Sequence, residues 1–151
     1  MSGIKRIIIM DDDPIGIRIG NHVIKLALPG VEVCSFTLPE AGLEFIQTEY
    51  LTNPVKTLLF LDINMPMMSG WEVLKKLESY EAVIKGHVLI YICSSSISLH
   101  DKALSSKHPL IADFMEKPIT KQKLIDIIKD EQCNRNQFIK ACSNTEDNIY
   151  F

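Results

Sequence analysis

Leu58 to Leu61, in the stretch that begins at Thr57, is an apolar run that stops on a carboxylate, Asp62, and continues as Ile63-Asn64-Met65-Pro66. An uninterrupted run of this length suits a strand buried on both faces, as in a parallel sheet covered by helices. In open α/β sheets the chemistry sits just past the carboxyl ends of the strands. Asp62 occupies such a position, so the stretch implies both a fold and a reactive centre.

The rest of the chain repeats the pattern. Ile4 to Met10 is β-branched and apolar, a first strand ending at Asp11-Asp12-Asp13-Pro14. Proline suits the first turn of a helix, and acids beside it favour a helix N-terminus. Ile15, Ile19, Val23 and Leu26 recur at helical spacing and predict the core stripe of the next helix, which Pro29-Gly30 stops. Val31 to Phe36 reads as a second strand. Thr37 is placed to cap a helix from near Pro39, with Leu43, Ile46 and Leu51 apolar and Asn53-Pro54 at its end. After the Thr57–Leu61 strand, Ser69-Gly70-Trp71 opens a helix with Val73, Leu74 and Leu77 available for the core, ended by Gly86. Val88 to Cys93 is a fourth buried strand, followed by a serine run and a short helix around Leu99 to Ser106. Asp113 to Glu116 fits a fifth strand, and Thr120 caps a final helix carrying Leu124, Ile125, Ile127 and Ile128. Strand–helix five times over predicts a five-stranded parallel sheet with helices on both faces and right-handed crossovers.

One domain of this kind accounts for most of the 151 residues, and its core is affordable at that length. The formal net charge of −3 offers no electrostatic case for binding nucleic acid or a membrane surface. No signal peptide precedes the first strand, and no apolar stretch is long enough to span a bilayer. Cys34, Cys93, Cys133 and Cys142 lack metal-type spacing, and the first two fall within strands, which predicts buried free thiols. A cytoplasmic location follows. From about Cys133 the chain turns polar, with Phe138, Ile139 and Ile149-Tyr150-Phe151 as apolar exceptions, too short for a second domain. Residues 4–131 are therefore expected to form the domain and 132–151 a tail, with no output domain.

Parallel strands would bring Asp11 and Asp12, Asp62, Ser94 and Lys117 to one sheet edge. Two carboxylates about 4 Å apart repel by roughly 1 kcal/mol in water and roughly 4 at an effective dielectric of 20. Lys117 offsets part of that, and a divalent cation would offset the rest. Oxygen ligands with several carboxylates are the environment Mg²⁺ prefers. A carboxylate beside such an ion and a lysine is equipped to attack a phosphoryl group. Taken singly, the acidic triplet could cap a helix, Asp62 could be a solvated loop residue, and Lys117-Pro118 an ordinary turn. Their order at successive strand ends is what capping alone fails to explain.

That order, Asp11-Asp12, then LDINMPMMSG, then a strand ending in Ser94, then FMEKP, resembles the receiver domain of two-component response regulators over residues 4 to 131. The resemblance implies a flavodoxin-like (βα)5 sheet of strand order 2-1-3-4-5. It implies that Asp62 accepts a phosphoryl group from a sensor histidine kinase or phosphotransfer protein. Mg²⁺ would be held by Asp12 directly, Asp11 through water, Asp62 and the backbone carbonyl of Asn64. Ser94 would hydrogen-bond the phosphoryl group, Lys117 would pair with its oxygens, and the Lys117–Pro118 bond would be cis. Pro66 and Gly70 match the loop after the acceptor. Ser94 keeps the hydroxyl of the commoner threonine, Ser95 replaces a small alanine-like residue, and Phe114 holds the aromatic switch position without a phenolic hydroxyl. The connection Tyr50 to Lys56 is longer than usual.

The implied mechanism is a two-state switch. Phosphoryl charge on Asp62 draws in Ser94, Phe114 turns inward, and the surface of the fourth helix, fifth strand and last helix changes its affinity for a downstream protein. Two rivals differ in class. A phosphatase with an aspartyl-phosphate intermediate, of the haloacid-dehalogenase type, would carry its nucleophile on the first strand with a second Asp two positions on; Asn64 stands there relative to Asp62. A phosphate-independent binding module would be suggested by loss of Asp62 or Lys117, and both are present. A flavin or nucleotide protein of this topology would need a phosphate cradle after the first strand, which is missing.

Overall fold

The computed structural model describes residues 3–96 and 98–146, residues 134–146 by their backbone alone. The predicted stretches at Ile149–Phe151 and the side chains of Phe138, Ile139 and Cys142 lie outside the described residues. Five strands form one parallel sheet: β1 (Arg6–Met10), β2 (Glu32–Phe36), β3 (Thr57–Leu61), β4 (Val88–Ser94) and β5 (Ile111–Glu116). Their order is β2-β1-β3-β4-β5, with every neighbouring pair parallel. The helices are α1 (Pro14–Ala27), α2 (Pro39–Phe45), α3 (Gly70–Leu77), α4 (Glu81–His87), α5 (Leu99–Lys107) and α6 (Lys121–Glu146). The strand–helix alternation predicts the parallel sheet, and this flavodoxin-like strand order is the one the resemblance to receiver domains implies.

β1 and β3 are buried at all five positions, because alternate side chains enter two separate cores. Ile8, Met10, Leu59, Leu61, Ile90 and Ile92 face α2, α3 and α4, meeting Leu43, Val73, Leu74, Leu77 and Ile84. Ile7, Ile9, Leu58 and Phe60 face α1 and α6, meeting Ile17, Ile24, Leu124, Ile127 and Ile128. A continuous apolar run is what such a strand requires.

Four local expectations change. The core stripe of α1 is Ile17, Gly20 and Ile24, whereas Ile15, Ile19 and Leu26 are 69%, 50% and 68% exposed. Two apolar rows run along this helix, and the sheet takes the one that brings Gly20 close to the side chains of Ile9 and Ile119. Leu38, not Thr37, is the N-cap of α2, with no side-chain cap bond, and the helix passes into a π turn, Ile46–Tyr50. Gly86 does not end its segment: a 3-10 turn, Glu78–Tyr80, separates α3 from α4, and α4 runs on to His87. Cys93 is buried but Cys34 only partly, because β2 is an edge strand.

Candidate phosphoryl-acceptor site

Sheet register assembles the site. Met10 pairs with Leu61 across β1 and β3, so the residues that follow them, Asp11 and Asp62, emerge side by side. The backbone N–H of Asp62 donates to the Met10 carbonyl at 2.9 Å. Ser94 pairs with Glu116 across β4 and β5, and the N–H of Lys117 donates to the Ser94 carbonyl at 2.9 Å. The central strand, β3, thus delivers Asp62 between the ends of its neighbours.

The acidic triplet divides its work among three positions. Asp13 caps α1, accepting from the N–H of Ile15 at 3.0 Å, and its own N–H donates to Asp11 Oδ1 at 2.9 Å. Asp11 is buried and accepts from Lys117 Nζ through Oδ2 at 2.6 Å. Asp12 is exposed and, among the described residues, takes part in no hydrogen bond or ion pair. Carboxylate oxygens of Asp11, Asp12 and Asp62 lie within 4.8 Å of one another. With one lysine among three carboxylates, this donor set fits a hard divalent cation held by oxygen.

Asp62 is only 3% exposed. Its Oδ1 accepts from the N–H of Asn64 at 3.0 Å, and its Oδ2 accepts from Lys117 Nζ at 3.1 Å. Burial is the largest influence on its carboxyl and pushes it up to about 6, against the pull of the Asn64 N–H and the Lys117 charge. Burial works against the Lys117 ammonium too, but the hydrogen bonds and charges of Asp11 and Asp62 outweigh it and raise its pKa. The Lys117–Pro118 bond is cis.

The loop after β3 is held close. Ser69 caps α3 in a reciprocal capping box with Glu72. A Cβ on Gly70 would stand 2.6 Å from the Asp62 carbonyl oxygen and 2.8 Å from Ile63 Cα. Only glycine lets this helix start so near Asp62.

Ser94 is fully buried, and its hydroxyl is engaged by Asn64 Nδ2 at 3.1 Å and by the backbone of Ser96. The Asn64 side chain was not singled out by the sequence reading, which gave that residue only a backbone role. Phe114 is partly buried on β5, with Lys102 Nζ 5.2 Å from its ring centroid. A cavity of about 320 Å³ opens beside Asp11, Asp62 and Lys117, and Ile15, Ile19, Pro118 and Ile119 are also in its lining.

Residues 7–129 match the family model of the response regulator receiver domain. Among solved structures, a two component response regulator from Cytophaga hutchinsonii is similar at 23% identity, with a TM-score of 0.77, over 87% of this chain and 98% of its own. A response regulator receiver protein from Dyadobacter fermentans is similar at 18% identity and TM-score 0.74, over 83% and 96% of the two chains. The chemotaxis protein CheY4 of Vibrio cholerae is similar at 19% identity and TM-score 0.68, over 84% and 98%. At these identities the likeness to solved structures is one of fold. A search of curated protein sequences finds no match.

Proposed function

The chain belongs to the response regulator receiver domains, and from that premise we propose that Asp62 accepts a phosphoryl group from a phosphohistidine. The observation that carries the reading is the placement of one buried carboxylate, Asp62, between a lysine and two further aspartates at adjoining strand ends. An Asp62 carboxylate oxygen attacks phosphorus, the P–N bond breaks, and its electron pair leaves with the imidazole of the donor. Lys117 Nζ, already directed at Asp62 Oδ2, stays beside the oxygens on which charge gathers. Asp11, Asp12, Asp62 and the Asn64 backbone carbonyl would hold Mg²⁺, which when bound supplies further neutralisation of that charge.

The partner is a sensor histidine kinase or phosphotransfer protein. The exposed Ile15 and Ile19 beside the acidic cleft suit the apolar flank of a helix that presents its phosphohistidine. Phosphorylation draws the Ser94 hydroxyl toward the new oxygens, Phe114 turns inward, and the face made by α5, β5 and α6 changes its affinity for a downstream protein. Leu99, 84% exposed at the start of α5, gives that face an apolar anchor. The protein works as a signalling phospho-acceptor whose only catalysis concerns its own phosphoryl group. Its activity is cytoplasmic and directed to proteins, not to nucleic acid or membrane. Among the described residues no helix is long and apolar enough to cross a membrane.

Incubation with MgCl2 and acetyl phosphate, followed by intact-mass measurement, tests the reading. One phosphoryl adduct is expected on the wild type and none on Asp62→Asn. An unmodified wild type, or an equally modified Asp62→Asn, would overturn it.

A further inference from the structure

Ser94 Oγ makes three hydrogen bonds. It accepts from Asn64 Nδ2 at 3.1 Å and from the Ser96 N–H at 3.3 Å, and it donates to the Ser96 carbonyl at 3.1 Å. A hydroxyl has one proton to give and two lone pairs to offer, so these contacts saturate it. The side chain is fully buried, which leaves no water to replace a lost partner. With its proton committed to Ser96, Ser94 cannot donate to anything attached to Asp62.

Asn64 touches both sides of the switch. Its backbone N–H holds Asp62 Oδ1 at 3.0 Å, and its side-chain amide holds Ser94 Oγ. It is itself exposed, so its amide is not fixed by packing in a core. We propose that the Asn64 side chain is the latch of the resting state: a positioning residue that keeps the Ser94 hydroxyl turned away from the acceptor until phosphorylation reorganises the loop that carries it. This rests on the reading of Asp62 as phospho-acceptor and adds a residue that sets how far the unphosphorylated protein samples its active form. Loss of one neutral hydrogen bond specific to the resting state shifts such an equilibrium by about two- to tenfold.

The test uses the full chain, with beryllofluoride and MgCl2 as a stable mimic of the phosphoryl group, and follows backbone amide signals by NMR. In free Asn64→Ala the Phe114 and Met115 signals are expected to lie displaced from wild type toward the mimic-bound positions. Beryllofluoride should bind it about two- to tenfold more tightly, because a larger fraction is competent. Asn64→Leu, which also lacks the donor, should behave alike. In a Ser94→Ala background, Asn64→Ala should add nothing, an outcome that a general loosening of the loop would not produce. The latch is overturned if the wild type responds to beryllofluoride while free Asn64→Ala and Asn64→Leu match it in signals and affinity. It is also overturned if the effect survives in the Ser94→Ala background. A wild type that does not respond at all defeats the Asp62 reading, and the latch with it.

Discussion

Burial of Asp62 pushes its carboxyl from an ordinary 3.8 up to about 6, so the native protein binds its proton more tightly than the unfolded chain does. The unfolded chain therefore carries fewer protons between these values, and stability falls as pH rises through that window. Above pH 6 the full cost is present, of order 2–3 kcal/mol from the size of the shift. Asp62→Asn removes the ionisable group while Lys117 keeps Asp11 as a partner. Urea unfolding should find this variant more stable than wild type by up to about 3 kcal/mol at pH 7. The gain should shrink toward zero near pH 4. Lys117→Met has the opposite sign, since it strands Asp11 and Asp62, both buried, without a cation. A loss of about 3 kcal/mol at pH 7 is expected, with part of the lost melting temperature regained on adding MgCl2.

Helix α1 shows how a pattern can be right about an element and wrong about its face. Its Ile15, Ile19 and Ile17, Ile24 rows are both apolar at helical spacing, and sequence periodicity does not say which one meets the sheet. Ile24→Ala is expected to cost about 2–5 kcal/mol, because Ile24 is fully buried against β1 and α6. Ile15→Ala and Ile19→Ala should stay within about 0.5 kcal/mol in the same urea measurement. Both should slow phosphotransfer from a histidine-bearing partner while leaving the acetyl phosphate adduct intact. The strands were legible for a physical reason: Thr57–Leu61 is buried on both faces, so Leu58 to Leu61 must be apolar, and the hydroxyl of Thr57 is satisfied by the Val55 carbonyl. So was the convergence of Asp11, Asp62, Ser94 and Lys117, which parallel strand ends impose. The amide of Asn64 on Ser94 was not, since it joins a loop to a strand end 30 residues away and depends on a rotamer that no local pattern records.

At the scale of the whole molecule, α6 closes one of the two cores and also runs past it. Leu124, Ile127 and Ile128 pack against α1 and the sheet. One turn further on, Glu131 meets Lys56 Nζ at 2.9 Å, tying α6 to the residue just before β3. The helix continues to Glu146, whereas the family match stops at residue 129. A domain bounded at about residue 131 should therefore keep every described core contact. A chain ending after Cys133 is expected to unfold in one cooperative step, within about 1 kcal/mol of full length. It should form the same phosphoryl adduct with acetyl phosphate. A chain ending after Thr120 would expose Ile17, Ile24 and Phe60 to water and should not fold. If the Cys133 truncation instead lost several kcal/mol or its adduct, residues beyond 133 would belong to the receiver domain.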